Sequence, residues 1–305
     1  MCRRLLPRAF VLFAAAIAVA GCSSAGSSAS GGGPVVVATT TQLADIARNV
    51  AGPEAKVEQI LRPNTDPHEY EPRPGDAIAV SKAKVVLRSG GEVDSWLEGV
   101  LNQASSGARV VNVGAGVKLR GDDPHWWQDP QNAELATRAI ASALAAADSK
   151  HAAAYRQRAE AYARKLRTLD GAIARCMGRL PASERRLVTN HDALEYFAHR
   201  YRVTVVGVVI PSLSTAAGAS AGETAKLVKT IRREYVREIF PESSVPKGVE
   251  AAVAHEAGAK LGPALYADSL GPKGSPGATY LGSLRFNATA MADGFSGRPG
   301  SCRLH

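Results

Sequence analysis

KHAAAYRQRAEAYARKLRTLDGAIARCM, Lys150 to Met177, decides the architecture of this chain. Tyr155, Ala159, Tyr162, Leu166, Leu169 and Ile173 recur at spacings of four and three, one apolar stripe along an α-helix. At 1.5 Å per residue the stretch spans roughly 40 Å. The sequence on either side has a different rhythm. Before it come the β-branched runs VVVATTT (35–41), KVEQIL (56–61), KVVLRSG (84–90) and RVVNVG (109–114). After it come RLVTN (186–190), VTVVGVVI (203–210), REIF (237–240) and ALYAD (264–268). Strand candidates alternating with helical segments predict parallel α/β sheets, here in two groups. The expected fold is α/β: two lobes, each a mainly parallel sheet flanked by helices, joined by one long backbone helix. The boundaries are 34–148 for the N-terminal lobe, 149–179 for the linking helix and 180–305 for the C-terminal lobe. A helix of that length between two such groups is a strut; the alternative is a helix packed wholly within one lobe. PSLSTAAGASAG (211–222) reads as a small-residue loop, followed by a helix with Leu227, Val228, Ile231 and Tyr235 on one face.

The first residues stand apart from the fold. Arg3, Arg4 and Arg8 precede an apolar run, Ala9–Ala20, of signal-peptide length and too short for a comfortable membrane span. Val19-Ala20-Gly21-Cys22 resembles the bacterial lipobox, which implies cleavage of a signal at 1–21 and lipid attachment to Cys22. SSAGSSASGGG then reads as part of a flexible tether, 22–33, holding the domain at the cell membrane without spanning it. Removing 1–21 takes three arginines and no acids, so the net charge falls from +9 to +6. That is mildly basic, and no basic run is interleaved with aromatics, so nucleic acid is not an expected partner. Cys2 leaves with the signal and Cys22 is consumed by lipid. Cys176 and Cys302 remain, either as one disulfide tying the C-terminal tail to the long helix or as two unpaired thiols.

The chemistry-bearing residues follow strand candidates, where open α/β sheets bind ligands. TDPHEYEPRPGD (65–76) and DDPHWWQDPQNA (122–133) share Asp-Pro-His, and they use two of the seven histidines. His191 follows RLVTN directly, Asp268 ends ALYAD, and Glu242 follows REIF. His68, His125, His191 and one or both of the carboxylates Asp268 and Glu242 are donors suited to a divalent transition metal. Proline before His68 and His125 restricts the backbone and helps aim each ring. Asp66 and Asp123 can cap those turns or accept a ring N–H. Asp192 with Glu195 resembles a capping box opening the helix after His191. His151, His199 and His255 read as ordinary helix residues, His305 belongs to the tail, and Trp126 and Trp127 shield the crevice from water. No His-Glu-x-x-His, Gly-x-Ser-x-Gly or phosphate loop occurs, so catalysis is the weaker expectation. The alternatives to a metal carrier are a membrane-tethered zinc-dependent hydrolase and a metal-stabilised adhesin.

Taken in order, PHEYEPRPGD (67–76), DPHWWQDPQNA (123–133), AAAYRQRAEAYARKLRTLD (152–170), TNHDALEYFAHRY (189–201), FPESSVP (240–246) and LYADSLG (265–271) resemble the zinc- and manganese-binding solute-binding lipoproteins of bacterial ABC importers. The resemblance covers nearly all of the mature chain. It implies His68 and His125 as ligands from the first lobe and His191 and Asp268 as ligands from the second. It also implies a partner permease with its cytoplasmic ATPase, a monomer as the working form, and no enzymatic activity. A third imidazole at 191, where manganese-selective relatives often carry a carboxylate, is similar to the zinc branch. Zn²⁺ is thus the expected transported ligand, ahead of Mn²⁺. The segment Gly114–Asp122 holds none of the histidines that many zinc-binding relatives carry there, so a metallochaperone would deliver the ion or no gathering device is needed.

Overall fold

Two parallel sheets flank the long helix, and both follow the same strand order. The computed structural model describes Met1 and residues 33–117 and 120–304. Apart from Met1, the signal at 1–21, Cys22, the tether up to residue 32 and His305 lie outside the described residues, as do Lys118 and Leu119. The first half runs β1 (Val35–Ala38), α1 (Thr41–Ala51), β2 (Lys56–Gln59), α2 (Pro74–Lys82), β3 (Val85–Arg88), α3 (Leu97–Ala104), β4 (Arg109–Asn112) and α4 (Pro130–Ala147). The long helix is α5 (Ala152–Gly178). Then come β5 (Arg186–His191), α6 (Glu195–Tyr201), β6 (Thr204–Ile210), α7 (Ala221–Arg233), β7 (Glu238–Ile239), α8 (Gly248–Ala257), β8 (Lys260–Leu261) and α9 (Tyr280–Ser296).

The first sheet is wholly parallel in the order β2-β1-β3-β4, with Val36 beside both Val57 and Val85. In the second half β5 pairs with β6 and β7 with β8, both in parallel. A bridge from Thr189 to Phe240 joins the pairs, giving β6-β5-β7-β8. Alternation within the strands supplies two apolar faces. Val36, Ala38, Val85 and Leu87 face the large central cluster, whereas Val37 and Val86 pack with Val80, Leu97 and Val100 beneath α2 and α3. Likewise Leu187 joins the central cluster and its neighbour Val188 packs with Val209, Val228 and Ile239.

The expected strand at 264–268 does not form. Pairing at Lys260–Leu261, which the sequence did not signal, stops at Gly262-Pro263, where proline has no N–H to continue a ladder. Only Leu265 pairs again, in an isolated bridge with Glu242.

The stripe on α5 is buried as its spacing requires, from Tyr155 through Ile173 to Met177. It packs against α1 and α4 of the first half and against α6 and α9 of the second, so it is not confined to one lobe. Polar contacts pin it at both ends. Arg158 donates to the carbonyls of Val50 and Ala51 at 2.7 Å, capping the C-terminus of α1, and pairs with Glu54 at 2.6 Å. Further along, Asp170 accepts from Tyr201 at 2.9 Å and from Arg200, both on α6. A disulfide joins Cys176 on α5 to Cys302 beyond α9. Among the described residues, no helix is long and apolar enough to cross a membrane.

Candidate metal centre

Four side chains converge at the carboxyl ends of the strands. One donor atom from each of His68, His125, His191 and Asp268 lies within 4.8 Å of all the others. Asp268 Oδ2 is 3.1 Å from Nε2 of both His68 and His191, and Oδ1 is 3.5 Å from Nε2 of His125. The two nitrogens His68 Nε2 and His125 Nε2 are 3.3 Å apart. All four side chains are removed from solvent, none more than 1% exposed. Yet neither oxygen of Asp268 completes an aligned hydrogen bond. A buried carboxylate without aligned donors is costly, and a cation among the three imidazoles would offset that cost.

The repeated Asp-Pro-His makes the same turn twice. Asp66 Oδ1 accepts the His68 backbone N–H and Asp123 Oδ1 accepts that of His125, both at 2.9 Å. The two then diverge. Asp123 Oδ1 also lies 2.7 Å from Nδ1 of the His125 ring, which turns Nε2 inward. The second oxygen of Asp66 instead accepts from Thr215 of the other half at 2.6 Å, and His68 Nδ1 has no hydrogen-bond partner.

The residues around each motif lock these turns. Tyr70 packs on Trp96 and donates to Asp76 at 2.6 Å, and Asp76 also accepts the Arg73 N–H at the start of α2. Asp129 caps α4 through the Gln131 N–H, with Pro130 in the first turn. Gly91, at φ 69, has Pro124 against it where a Cβ would sit, so a side chain there would push on the His125 turn. The two tryptophans do more than exclude water. Trp126 donates to the Ser89 carbonyl, and Trp127 sits edge-on to His125 with ring centroids 5.3 Å apart.

In the second half His191 is the last residue of β5 and therefore rigid. Asp268 follows the Leu265 bridge on a loop that the first half holds. The Ala267 carbonyl accepts from Trp127 Nε1 and Gln128 Nε2, both at 2.8 Å, and from Gln42 at 3.4 Å. Thr41 accepts the Leu270 N–H at 2.8 Å. Glu242 is not one of the four converging residues. It stands behind two of them, accepting the Asp268 N–H at 3.1 Å through Oε1, with Oε2 3.1 Å from His191 Nδ1.

The capping box expected at Asp192 and Glu195 is absent. The Asp192 N–H goes to the Ser212 carbonyl and the Ala193 N–H to the His191 carbonyl, and α6 opens only at Glu195 behind Leu194. Asp192 instead lines an open cavity of about 720 Å³ with Arg120, Asp123, Asp129, Glu195 and His199. His151 immediately precedes α5, beside Asp148, and His199 and His255 lie on α6 and α8, away from the four.

The electrostatics follow from burial opposed by close charge. Burial by itself would lower His68, but the Asp268 carboxylate 3.1 Å from its Nε2, with its opposite charge, holds it above the ordinary imidazole value. His191 is held well above it, burial being outweighed by the charges of Asp268 and then Glu242. Asp268 lies well below the carboxylate range: burial opposes this, but the charges of His191 and His125 prevail.

The model of zinc-uptake complex component A, periplasmic, the ZnuA family, matches residues 36–294. The chain belongs to this family. The ZnuA-family chain is 34% identical over 269 residues to the manganese-binding lipoprotein MntA of Bacillus subtilis, covering 83% of this chain and 86% of MntA. It is 29% identical over 263 residues to the iron-binding protein YfeA of Yersinia pestis, covering 84% of each. Among solved structures it is similar to the periplasmic zinc binding protein TroA of Treponema pallidum. That likeness has a TM-score of 0.80 at 28% identity and covers 87% of this chain and 99% of TroA. Members of the ZnuA family are substrate-binding proteins of ABC transporters, so this chain is not an enzyme. It binds metal for an importer with a permease and an ATPase, at the extracytoplasmic face of the membrane.

Proposed function

We propose that the chain captures Zn²⁺ between its two halves and delivers it to the permease, with His68, His125, His191 and Asp268 as the four ligands. The convergence of three imidazole nitrogens and one buried carboxylate is the observation that carries this reading. Three nitrogens and one oxygen suit tetrahedral zinc, whereas Mn²⁺ prefers oxygen-rich sites. Asp123 behind His125 adds the carboxylate–imidazole support common at zinc sites. Four protein donors also suit a carrier that keeps no open position for a reacting water. In this reading the chain comprises lobes at 34–148 and 180–305 on a linking helix at 149–179, and it is tethered through lipid on Cys22.

Elemental analysis of the mature protein beside His125→Ala tests the reading, followed by competition between Zn²⁺ and Mn²⁺. The expected result is about one zinc per chain, lost in the variant and not displaced by excess Mn²⁺. Preferential manganese, or zinc retained by the variant, would overturn it.

A further inference from the structure

We infer that Glu242 is the positioning residue of the second half, one carboxylate that sets both His191 and Asp268 for the ion; this rests on the four-ligand reading. Glu242 is 2% exposed and is fixed in the sheet by its bridge to Leu265. Its two oxygens are divided between the two ligands. Oε1 accepts the backbone N–H of Asp268 at 3.1 Å and the Ser244 hydroxyl at 2.6 Å. Oε2 faces His191 Nδ1 at 3.1 Å and has no other partner. The pair is close but not aligned as a hydrogen bond here, because neither atom meets the angle for one. A small rotation of the ring would complete the bond.

The chemistry of an imidazole explains why that contact matters. A ligating nitrogen must present a lone pair, so the proton of the neutral ring belongs on the other nitrogen. An acceptor at Nδ1 places it there and leaves Nε2 for the metal. Asp123 does this for His125, and Glu242 stands 3.1 Å from His191 Nδ1, placed to do it there once the ring turns. Among the described residues none does so for His68, whose Nδ1 has no hydrogen-bond partner there. Two of the three imidazoles are therefore preset, and each half of the molecule supplies one carboxylate to preset its own. Because the same Glu242 side chain holds the Asp268 backbone, removing the side chain would disturb two ligands together, whereas removing only its charge would act on His191.

The isosteric variant Glu242→Gln separates positioning from packing. Its amide can still accept from Asp268 and Ser244, but the –NH₂ that faces Nδ1 donates, which moves the ring proton to Nε2. Zinc affinity, measured by chelator competition, should fall about 10- to 100-fold. In the metal-free variant, above the range in which its imidazoles titrate, ¹H–¹⁵N correlation should show His191 switched to the Nε2–H tautomer. The zinc-loaded wild-type protein, which does not depend on the variant folding, should show His191 protonated at Nδ1. Zinc on His191 Nδ1, an unchanged affinity in the variant, or a weakened affinity with an unchanged tautomer would each overturn the inference. His125→Ala in the same assay keeps the two ideas apart. If it binds zinc normally, the four-ligand reading fails; if it loses zinc while Glu242→Gln does not, only the role of Glu242 fails.

Discussion

Replacing Thr215 with valine should speed the release of zinc by about tenfold or more. Thr215 is 7% exposed and donates its hydroxyl to Asp66 Oδ2 at 2.6 Å, from the loop after β6 to the turn that carries His68. A hydrogen bond to a charged acceptor contributes about 1.5–3 kcal/mol. If the bond exists only while the halves are together, its loss favours their separation by that amount. At 1.4 kcal/mol per tenfold, the shift is about 10- to 150-fold. Asp66 is only half-buried, so water can replace the lost donor, which places the effect near the lower end. Asp66 itself is the worse target, because its other oxygen holds the His68 N–H. Stopped-flow transfer of zinc to an excess of chelator measures the rate, with Thr215→Ser as the control that keeps the hydroxyl. The reasoning is refuted if the valine variant releases zinc at the wild-type rate, or if the serine variant releases it as fast as valine does.

Replacing Cys176 and Cys302 together with serine should cost about 5 kcal/mol of unfolding free energy, from the loop entropy of a 126-residue separation. Guanidinium titration measures it; a loss below about 1 kcal/mol would contradict the estimate, and zinc affinity should not change because the bridge lies outside the site. Under the proposed four-ligand reading, zinc affinity should also weaken as pH falls, beginning above the ordinary imidazole value near 6.5, because His68 and His191 are raised and must lose protons to bind. The sign for the metal-free protein is the reverse. Raised imidazoles add stability that is full below pH 6.5 and is lost as pH rises through their folded values. Calorimetric titrations of zinc from pH 8 to 5.5 test the first statement, and thermal melts of the metal-free protein across the same range test the second. A flat profile in either would count against the charge balance around Asp268.

What could be read from sequence was what local chemistry controls. The spacing of Tyr155, Ala159, Tyr162, Leu166, Leu169 and Ile173 identifies a helix, and its length identifies a strut, because both depend only on helical geometry. Asp-Pro-His reads as a turn for the same reason, and the Asp oxygen bonds two residues on in both copies. The failures arise where a distant partner outcompetes a local one. Asp192 and Glu195 have capping-box spacing, but the Asp192 N–H is taken by Ser212, a residue twenty positions away across the sheet. ALYAD has strand composition, yet Pro263 interrupts the pairing that would extend it.

Glu242 shows most clearly what the linear order hides. Both it and Asp268 follow apolar runs and carry the same carboxylate, so apart from the family resemblance the sequence leaves them as equal candidates. Their places differ because the bridge from Glu242 to Leu265 holds Glu242 back in the sheet, while Asp268 lies beyond its end on a loop held by Trp127 and Gln128 at the Ala267 carbonyl. Those donors come from the same DPHWWQDPQNA stretch that carries His125. A single motif of the first half therefore supplies one candidate ligand and fixes the backbone of another on the opposite half. It follows that the Asp268 loop cannot swing free with the second half alone. Opening must either break the contacts at Ala267 or leave that loop behind, and the single bond between Thr215 and Asp66 is a separate cross-connection that must part with it.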